Sequence, residues 1–351
     1  MTSASVGSTS PTFLITIDTE GDNLWGRPRE ITTRNLAFLP RFQALAEKHG
    51  FKPTYLSNWE AVVDEGYQAF ARDVIARGQG EVGLHIHAWN SPPITPLTED
   101  DLHHQPYLTE YPESVLREKV RFMTDLLEQT FERKMVSHRG GRWAFDATYA
   151  RALLDFGYRV DCSVTPHVSW KRVPGDPNGN GGPDCTDAPA APYYVGWAEP
   201  APGQPWLLEV PMTILKRRRS PPERWLRKAL GRQVDRLLWM QPTGRNLPQL
   251  LDVVDSAVAD GREHLEFTLH SSEFMPGGSP TFRTEDDIER LYDHMEALFE
   301  RIARRFTGQT LAEFAERYVE THQPPILPRP ARKSSEIGRP PPSAVAAAPP
   351  L

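Results

Sequence analysis

Five ionisable side chains close three apolar segments: Asp18 and Glu20 follow FLITI, His85 and His87 end EVGLHIH, and His270 ends LEFTLH. Side chains alternate across a strand, so each segment separates into two faces. In the first, Phe13, Ile15 and Ile17 form the apolar face, which puts Thr16 and Asp18 on the other, with Glu20 continuing it if the chain stays extended. In the second, Val82, Leu84 and Ile86 oppose Glu81, Gly83, His85 and His87; in the third, Leu265, Phe267 and Leu269 oppose Glu266, Thr268 and His270. A carboxylate oxygen and two imidazoles are one ligand short of a closed tetrahedral zinc site, and the open position would hold water. A second carboxylate would serve as base and a separate histidine would protonate a leaving group. Each residue alone is an ordinary strand-end polar group; their coincidence on three segments points to a metal-dependent hydrolase.

The elements that must position these residues alternate. FLITID (13–18), EVGLHIH (81–87), a run near Met135 to His138, YRVDCSV (158–164), WLLEV (206–210) and LEFTLH (265–270) read as strands. Helical periodicity falls at 39–49, 60–77, 112–132, 146–156, 224–240, 284–306 and 310–319. In 112–132, Leu116, Val120, Met123, Leu127 and Phe131 make a core-facing stripe. This order predicts a parallel α/β fold, and the absence of a Gly-rich phosphate loop after the first strand favours a barrel over an open sheet. Active sites of such barrels lie at the C-terminal ends of the strands, where the five residues fall. Residues 171–205, rich in Gly and Pro, form an insertion long enough to be a binding loop.

The chain has 351 residues with 25% charged and 39% hydrophobic, which fits one large folded domain and excludes a disordered, collagenous or coiled-coil protein. Residues 1–11 and the Pro-rich 323–351 are expected to be disordered flanks of a domain spanning 12–322. Two cysteines, Cys162 and Cys185, without CxxC spacing, are expected to be structural thiols in a reducing compartment. The first residues carry no positive n-region or apolar h-region, and no window reaches the ~18 apolar residues of a membrane span, so a cytoplasmic location is expected. Net charge is −6, too acidic a balance for a nucleic-acid binder. Against it, Lys216 to Arg232 holds eight basic residues and one acid. That segment reads as part of a helix over 224–240 in which Leu226, Leu230, Val234 and Leu238 recur every four residues. The expected arrangement is a barrel helix with its stripe on the core; the alternative is peripheral contact of 216–240 with the anionic inner face of a membrane.

FLITIDTEGDN, EVGLHIHAWNSPP, SHRGGRW, GYRVDCSVTP and FTLHSSEFMPGGSP, in this order, resemble the five motifs of the NodB-homology polysaccharide deacetylases (carbohydrate esterase family four and relatives), most closely the lipopolysaccharide-biosynthesis, WalW-like branch. The resemblance covers about residues 12–320. It implies a single distorted (β/α)7 barrel that hydrolyses N-acetyl, or less commonly O-acetyl, groups of a sugar with a divalent metal, usually zinc. It implies Asp18 as base, Glu20, His85 and His87 as metal ligands, Arg139 as the group that orients the base, and His270 as general acid. An acetylated sugar would be the substrate, with a lipid-linked glycan one form it could take.

Two positions depart from that pattern. Thr19 follows Asp18 where the family commonly has a second aspartate, leaving Asp18, Glu20 or Asp22 as the acidic ligand. The histidines are two residues apart rather than four, Trp89 stands where the later one would fall, and His103 or His104 is a further ligand candidate. Trp25, Trp89, Trp143 and Trp170 could stack on sugar rings, Arg142 could contact substrate, and Asp161 with Ser163 could support the site. Other readings of the same residues are an amidohydrolase-type metal hydrolase, where HxH also occurs, and a metal-free glycan-binding barrel.

Overall fold

The computed structural model describes residues 10–195, 206–230 and 234–322. The expected tail 323–351 and all but Ser10 and Pro11 of the expected N-terminal flank lie outside this range. Strands β1 (Thr12–Thr19), β2 (Pro53–Ser57), β3 (Glu81–Ile86), β4 (Ser137–Gly140), β5 (Val160–Asp161), β6 (Tyr193–Tyr194), β7 (Leu208–Glu209), β8 (Ile214–Arg217), β9 (Arg236–Trp239), β10 (His264–His270) and β11 (Thr307–Gly308) alternate with helices. The main sheet runs β10-β1-β2-β3-β4-β5-β7-β6, with β11 beside the start of β1; all neighbours are parallel except β6. Between β7 and β10 irregular backbone carries the ring: Met212 N–H donates to Val164 O, Met240 N–H to Thr213 O, and Glu266 N–H to Thr213 Oγ1. The fold is an α/β, distorted (β/α) barrel, as the alternation implies.

The two faces of each strand have different fates. Outward residues Phe13, Ile15 and Ile17 join the helices in the larger core, with Phe13 edge-on to Phe51 and Phe299 at ring separations of 4.7 and 5.6 Å. The helix Glu113–Phe131 buries all five residues of its expected stripe. At roughly 1.5–3 kcal/mol for each fully buried apolar side chain, that stripe far outweighs the exposed Arg121–Asp125 pair, worth about 0.3–0.5 kcal/mol. Inward, Leu14, Leu56, Val160, Cys162 and Leu208 pack on Leu311, Phe314 and Ala315 of the helix Leu311–Thr321, which plugs the N-terminal end of the barrel. Above the plug the inward residues become polar. Gly83 lies at that level because a Cβ there would meet Ser137 O at 2.7 Å and Leu56 Cδ2 at 2.8 Å.

Three expectations differ. The helix placed over 224–240 is a helix only over Pro221–Ala229; Arg236–Trp239 is β9, antiparallel to β8. Of the four-residue repeat, Leu238 is buried in the hairpin while Leu226 and Leu230 are exposed, so the stripe does not pack on the core. YRVDCSV narrows to Val160–Asp161 because only two residues find partners on both sides. The strand β2 and the helix Leu247–Ala259 were not expected: PTYLS is buried at every position and shows no alternation, and LPQLLDVVDSAVA is apolar on more than one face. No described helix is long and apolar enough to cross a membrane.

Candidate active site

Strand register assembles the site. Asp18 lies beside His270 across β1–β10 and His85 beside Arg139 across β3–β4, and all four point inward above the plug. Arg139 is fully buried and spends all five of its N–H donors: Nε on Cys162 O, one terminal nitrogen on Asp18 Oδ1 at 2.7 Å and Thr268 Oγ1 at 2.9 Å, the other on Thr16 Oγ1 and Glu266 Oε1. Burial alone would raise the Asp18 carboxyl, but the Arg139 charge, with His85 and His270, holds it below its ordinary value. Asp18 is therefore an ionised, aimed carboxylate with Oδ2 free of Arg139.

On the other side of Asp18 lies the cluster Glu20, His85 and His87, all buried, with one ligand atom of each within 4.8 Å of the others. Glu20 Oε2 is 3.3 Å from His87 Nε2 and 3.8 Å from His85 Nε2, and the two Nε2 atoms are 3.1 Å apart. His85 Nδ1 is 2.9 Å from the Arg139 carbonyl, which can only accept, so Nδ1 carries the hydrogen and Nε2 presents a lone pair to the cluster. Burial pulls His85 down to about 4 and His87 well below its ordinary value, and pushes Glu20 up to about 8. Neutral imidazoles and a carboxyl that burial keeps from ionising are the donor set a divalent cation satisfies, so the residues fit one.

The other acidic candidates are occupied. Asp22 accepts from Asn35 N and Nδ2, Thr32 Oγ1 and Arg34 Nε, clamping the loop after β1. Among the described residues His103 and His104 are not in the cluster; they pack on each other. His270 Nε2 is 3.8 Å from Asp18 Oδ2, and its Nδ1 is 3.1 Å from Glu273 Oε2. Burial lowers the imidazole, but Glu20, Glu273 and Asp18 together raise it to about 9.

These groups open into a cleft of about 820 Å³ whose walls include Trp25, Trp89, Trp143, Trp170 and Trp239. Trp89 stacks on His87 at 4.4 Å and Trp25 meets His270 edge-on at 4.7 Å. Arg142 lines the cleft, but its guanidinium binds the carbonyls of Gln105 and Pro174 and stacks on Tyr107, tying the start of the 171–205 insertion to the wall. Residues 196–205 of that insertion lie outside the described range. Asp161 is not among the cleft residues: it is fully buried, 2.5 Å from His138 Nδ1, and accepts from Ser163 N and Oγ. Cys162 and Cys185 are free, buried thiols.

Sequence reasoning missed Glu273, although its i+3 spacing from His270 is legible. It also missed a buried network joining three loops: Glu60 accepts from Gly21 N and Asn90 Nδ2, Asn58 accepts from Ser91 Oγ and from His87 N. Asn58 and Glu60 follow the unexpected β2, so no motif pointed to them.

No family model matches the chain, and no curated protein matches it. Solved structures do. A provisionally assigned glycoside hydrolase/deacetylase from Parabacteroides distasonis has TM-score 0.54 and 11% identity, over 90% of this chain and 73% of that one. A provisionally assigned polysaccharide deacetylase from Mycobacterium smegmatis has TM-score 0.50 and 14% identity, over 92% and 96%. The PuuE allantoinase has TM-score 0.50 and 13% identity, over 89% and 90%. At these identities the likeness is one of fold, and the chain has the (β/α) barrel fold that these structures share.

Proposed function

We propose that this chain is a metal-dependent hydrolase that removes an acetyl group, N-linked before O-linked, from a sugar. The observation that carries the reading is the placement of Asp18, aimed by Arg139, between the Glu20/His85/His87 cluster and His270 at the floor of a tryptophan-walled cleft. Glu20, His85 and His87 would hold a divalent ion, zinc by donor type, which when bound supplies Lewis-acid polarisation of the acetyl carbonyl. Asp18 Oδ2 takes the proton of the attacking water as its oxygen adds to the carbonyl carbon. The C–N bond then breaks, His270 Nε2 gives its proton to the departing nitrogen, and acetate and a free amine leave. Glu273 holds Nδ1 so that Nε2 faces the cleft, and carboxylates on both sides keep the imidazole protonated at neutral pH. Trp89 and Trp143 offer faces for a sugar ring; Arg142 acts on substrate through the wall it holds in place, and Asp161 supports Arg139's strand from behind.

The motif resemblance points to a surface-glycan or lipopolysaccharide precursor as substrate, lipid-linked or nucleotide-linked, handled in the cytoplasm. Incubation with pools of acetylated nucleotide-sugars and lipid-linked glycans, with acetate assayed, tests this. Acetate release that requires divalent ion supports the reading, and release undiminished by chelation overturns its metal dependence. The double variant His85→Ala/His87→Ala should lose the roughly one divalent ion per chain expected for one such cluster. Unchanged metal content would overturn the ligand assignment.

A further inference from the structure

The helix Pro221–Ala229 is built the wrong way round for a surface helix. Pro222, Trp225, Leu226, Ala229 and Leu230 recur at the spacing of one helical face, and that face looks away from the protein: Trp225 is 73% exposed, Leu226 53% and Leu230 56%. Arg224 and Arg227, on the other side, are the half-buried residues, and Arg224 is paired with Asp235. No residue of the helix is buried. Arg218, Lys228 and Arg236, in and beside the helix in sequence, are exposed and in no ion pair among the described residues.

Water does not favour such an arrangement. Exposed Trp and Leu gain nothing there, while the usual orientation would place them against the body. A helix of nine residues is about 14 Å long, so its face falls well short of the roughly 800 Å² per partner of a stable protein interface. A short apolar ridge with a tryptophan, in a segment of exposed cations, does suit the headgroup boundary of an anionic bilayer, where apolar insertion and charge attraction add. Outside Lys216–Arg232 the chain is net acidic, so this segment favours approach to such a surface where the bulk of the chain does not.

We propose that the helix Pro221–Ala229, with Leu230, docks the protein on anionic lipid membranes. The hairpin that carries it runs to the cleft: Leu237 and Trp239 of β9 line the cleft wall, and Trp239 lies three residues, roughly 10 Å, along the strand from Arg236. Docking therefore sets the cleft beside the membrane surface, within reach of a headgroup-borne sugar. The docking itself stands apart from the hydrolase reading and is tested without an activity assay.

The full chain is sedimented with vesicles of phosphatidylcholine alone or containing phosphatidylglycerol, at low and high salt. It should pellet with the phosphatidylglycerol vesicles at low salt only. Trp225→Ser/Leu226→Ser/Leu230→Ser and Arg218→Glu/Lys228→Glu/Arg236→Glu should each lower binding by about tenfold or more, with unfolding midpoints unchanged because every altered side chain is exposed. Three results would each overturn the proposal. They are no pelleting with anionic vesicles, undiminished binding of the apolar variant, and a dimer in sedimentation velocity that the apolar substitutions dissolve, which would make a second copy the partner of the ridge.

Discussion

Two carboxyls two residues apart, Asp18 and Glu20, are both buried, yet burial has opposite outcomes for them. Arg139 at 2.7 Å offsets the desolvation of Asp18, whereas Glu20 has no such partner and its pKa is pushed up to about 8. The first is then fit to accept a proton and the second to be ionised by a cation. Asp18→Asn keeps an oxygen for Arg139 and leaves the cluster untouched, so metal content should hold while turnover falls by about 10²-fold or more. Retained activity would move the base to another group. His270→Ala should lose about 10²–10⁴ in rate on an N-acetyl sugar and distinctly less on an activated acetyl ester, whose alkoxide leaves without protonation. Equal losses on both substrates, measured by acetate release, would assign His270 to binding rather than to acid catalysis.

Among the elements, the loops after β1, β2 and β3 are held by buried polar groups rather than by apolar packing. One tether is Lys119, on the helix Glu113–Phe131, whose ammonium donates to Ser91 O at 2.6 Å and Pro93 O at 2.7 Å below the loop that carries Trp89. Burial pulls this lysine down to about 8. Lys119→Met fills the same space but leaves two carbonyls unpaired, so stability should drop by about 1–3 kcal/mol, read from urea unfolding, with KM rising more than kcat falls. An unchanged urea midpoint would show that the loop is held by Glu60 and Asn58 alone. Lys119 lies beside the apolar stripe of 112–132, and local periodicity does not show that its ammonium is buried.

At the scale of the whole molecule, the barrel interior concentrates titratable groups above its apolar plug. Burial first, against the pull of neighbouring cations, leaves Glu20 at about 8 and Glu266 at about 7, above the ordinary 4.5; the surrounding carboxylates lift His270 to about 9, above 6.5. Each folded-state value exceeds the unfolded one, so the folded chain binds more protons, and stability is lost as pH rises through these values. In the metal-stripped protein the unfolding midpoint should therefore fall from pH 6.5 to 8. Histidines with lowered values titrate below that window, and Lys119 opposes the trend only above it. Added zinc should raise the midpoint and flatten its pH dependence, because the cation replaces the protons on Glu20. A midpoint indifferent to zinc across the window would count against the cluster as a metal site.

The alternation of FLITID, EVGLHIH and LEFTLH by itself determined which residues share a face, because a strand's period of two is a property of the local backbone; that the polar face points into the barrel came from the packing of the other face against the helices. The stripe of 112–132 and the barrel architecture follow from local periodicity and element order in the same way. Only the tertiary structure decided which inward residues meet. The register that sets His85 beside Arg139, 54 residues away, and Asp18 beside His270, 252 residues away, depends on how distant strands slide against one another, and no local period records it. The same holds for Glu20, which meets His85 and His87 while Asn35 and Arg34 saturate Asp22, and for Asp161, whose pairing with His138 takes it out of the cleft. It holds as well for the helix Pro221–Ala229, where the four-residue spacing was legible but not that Arg224 would turn inward on Asp235 and Trp225 and Leu226 outward.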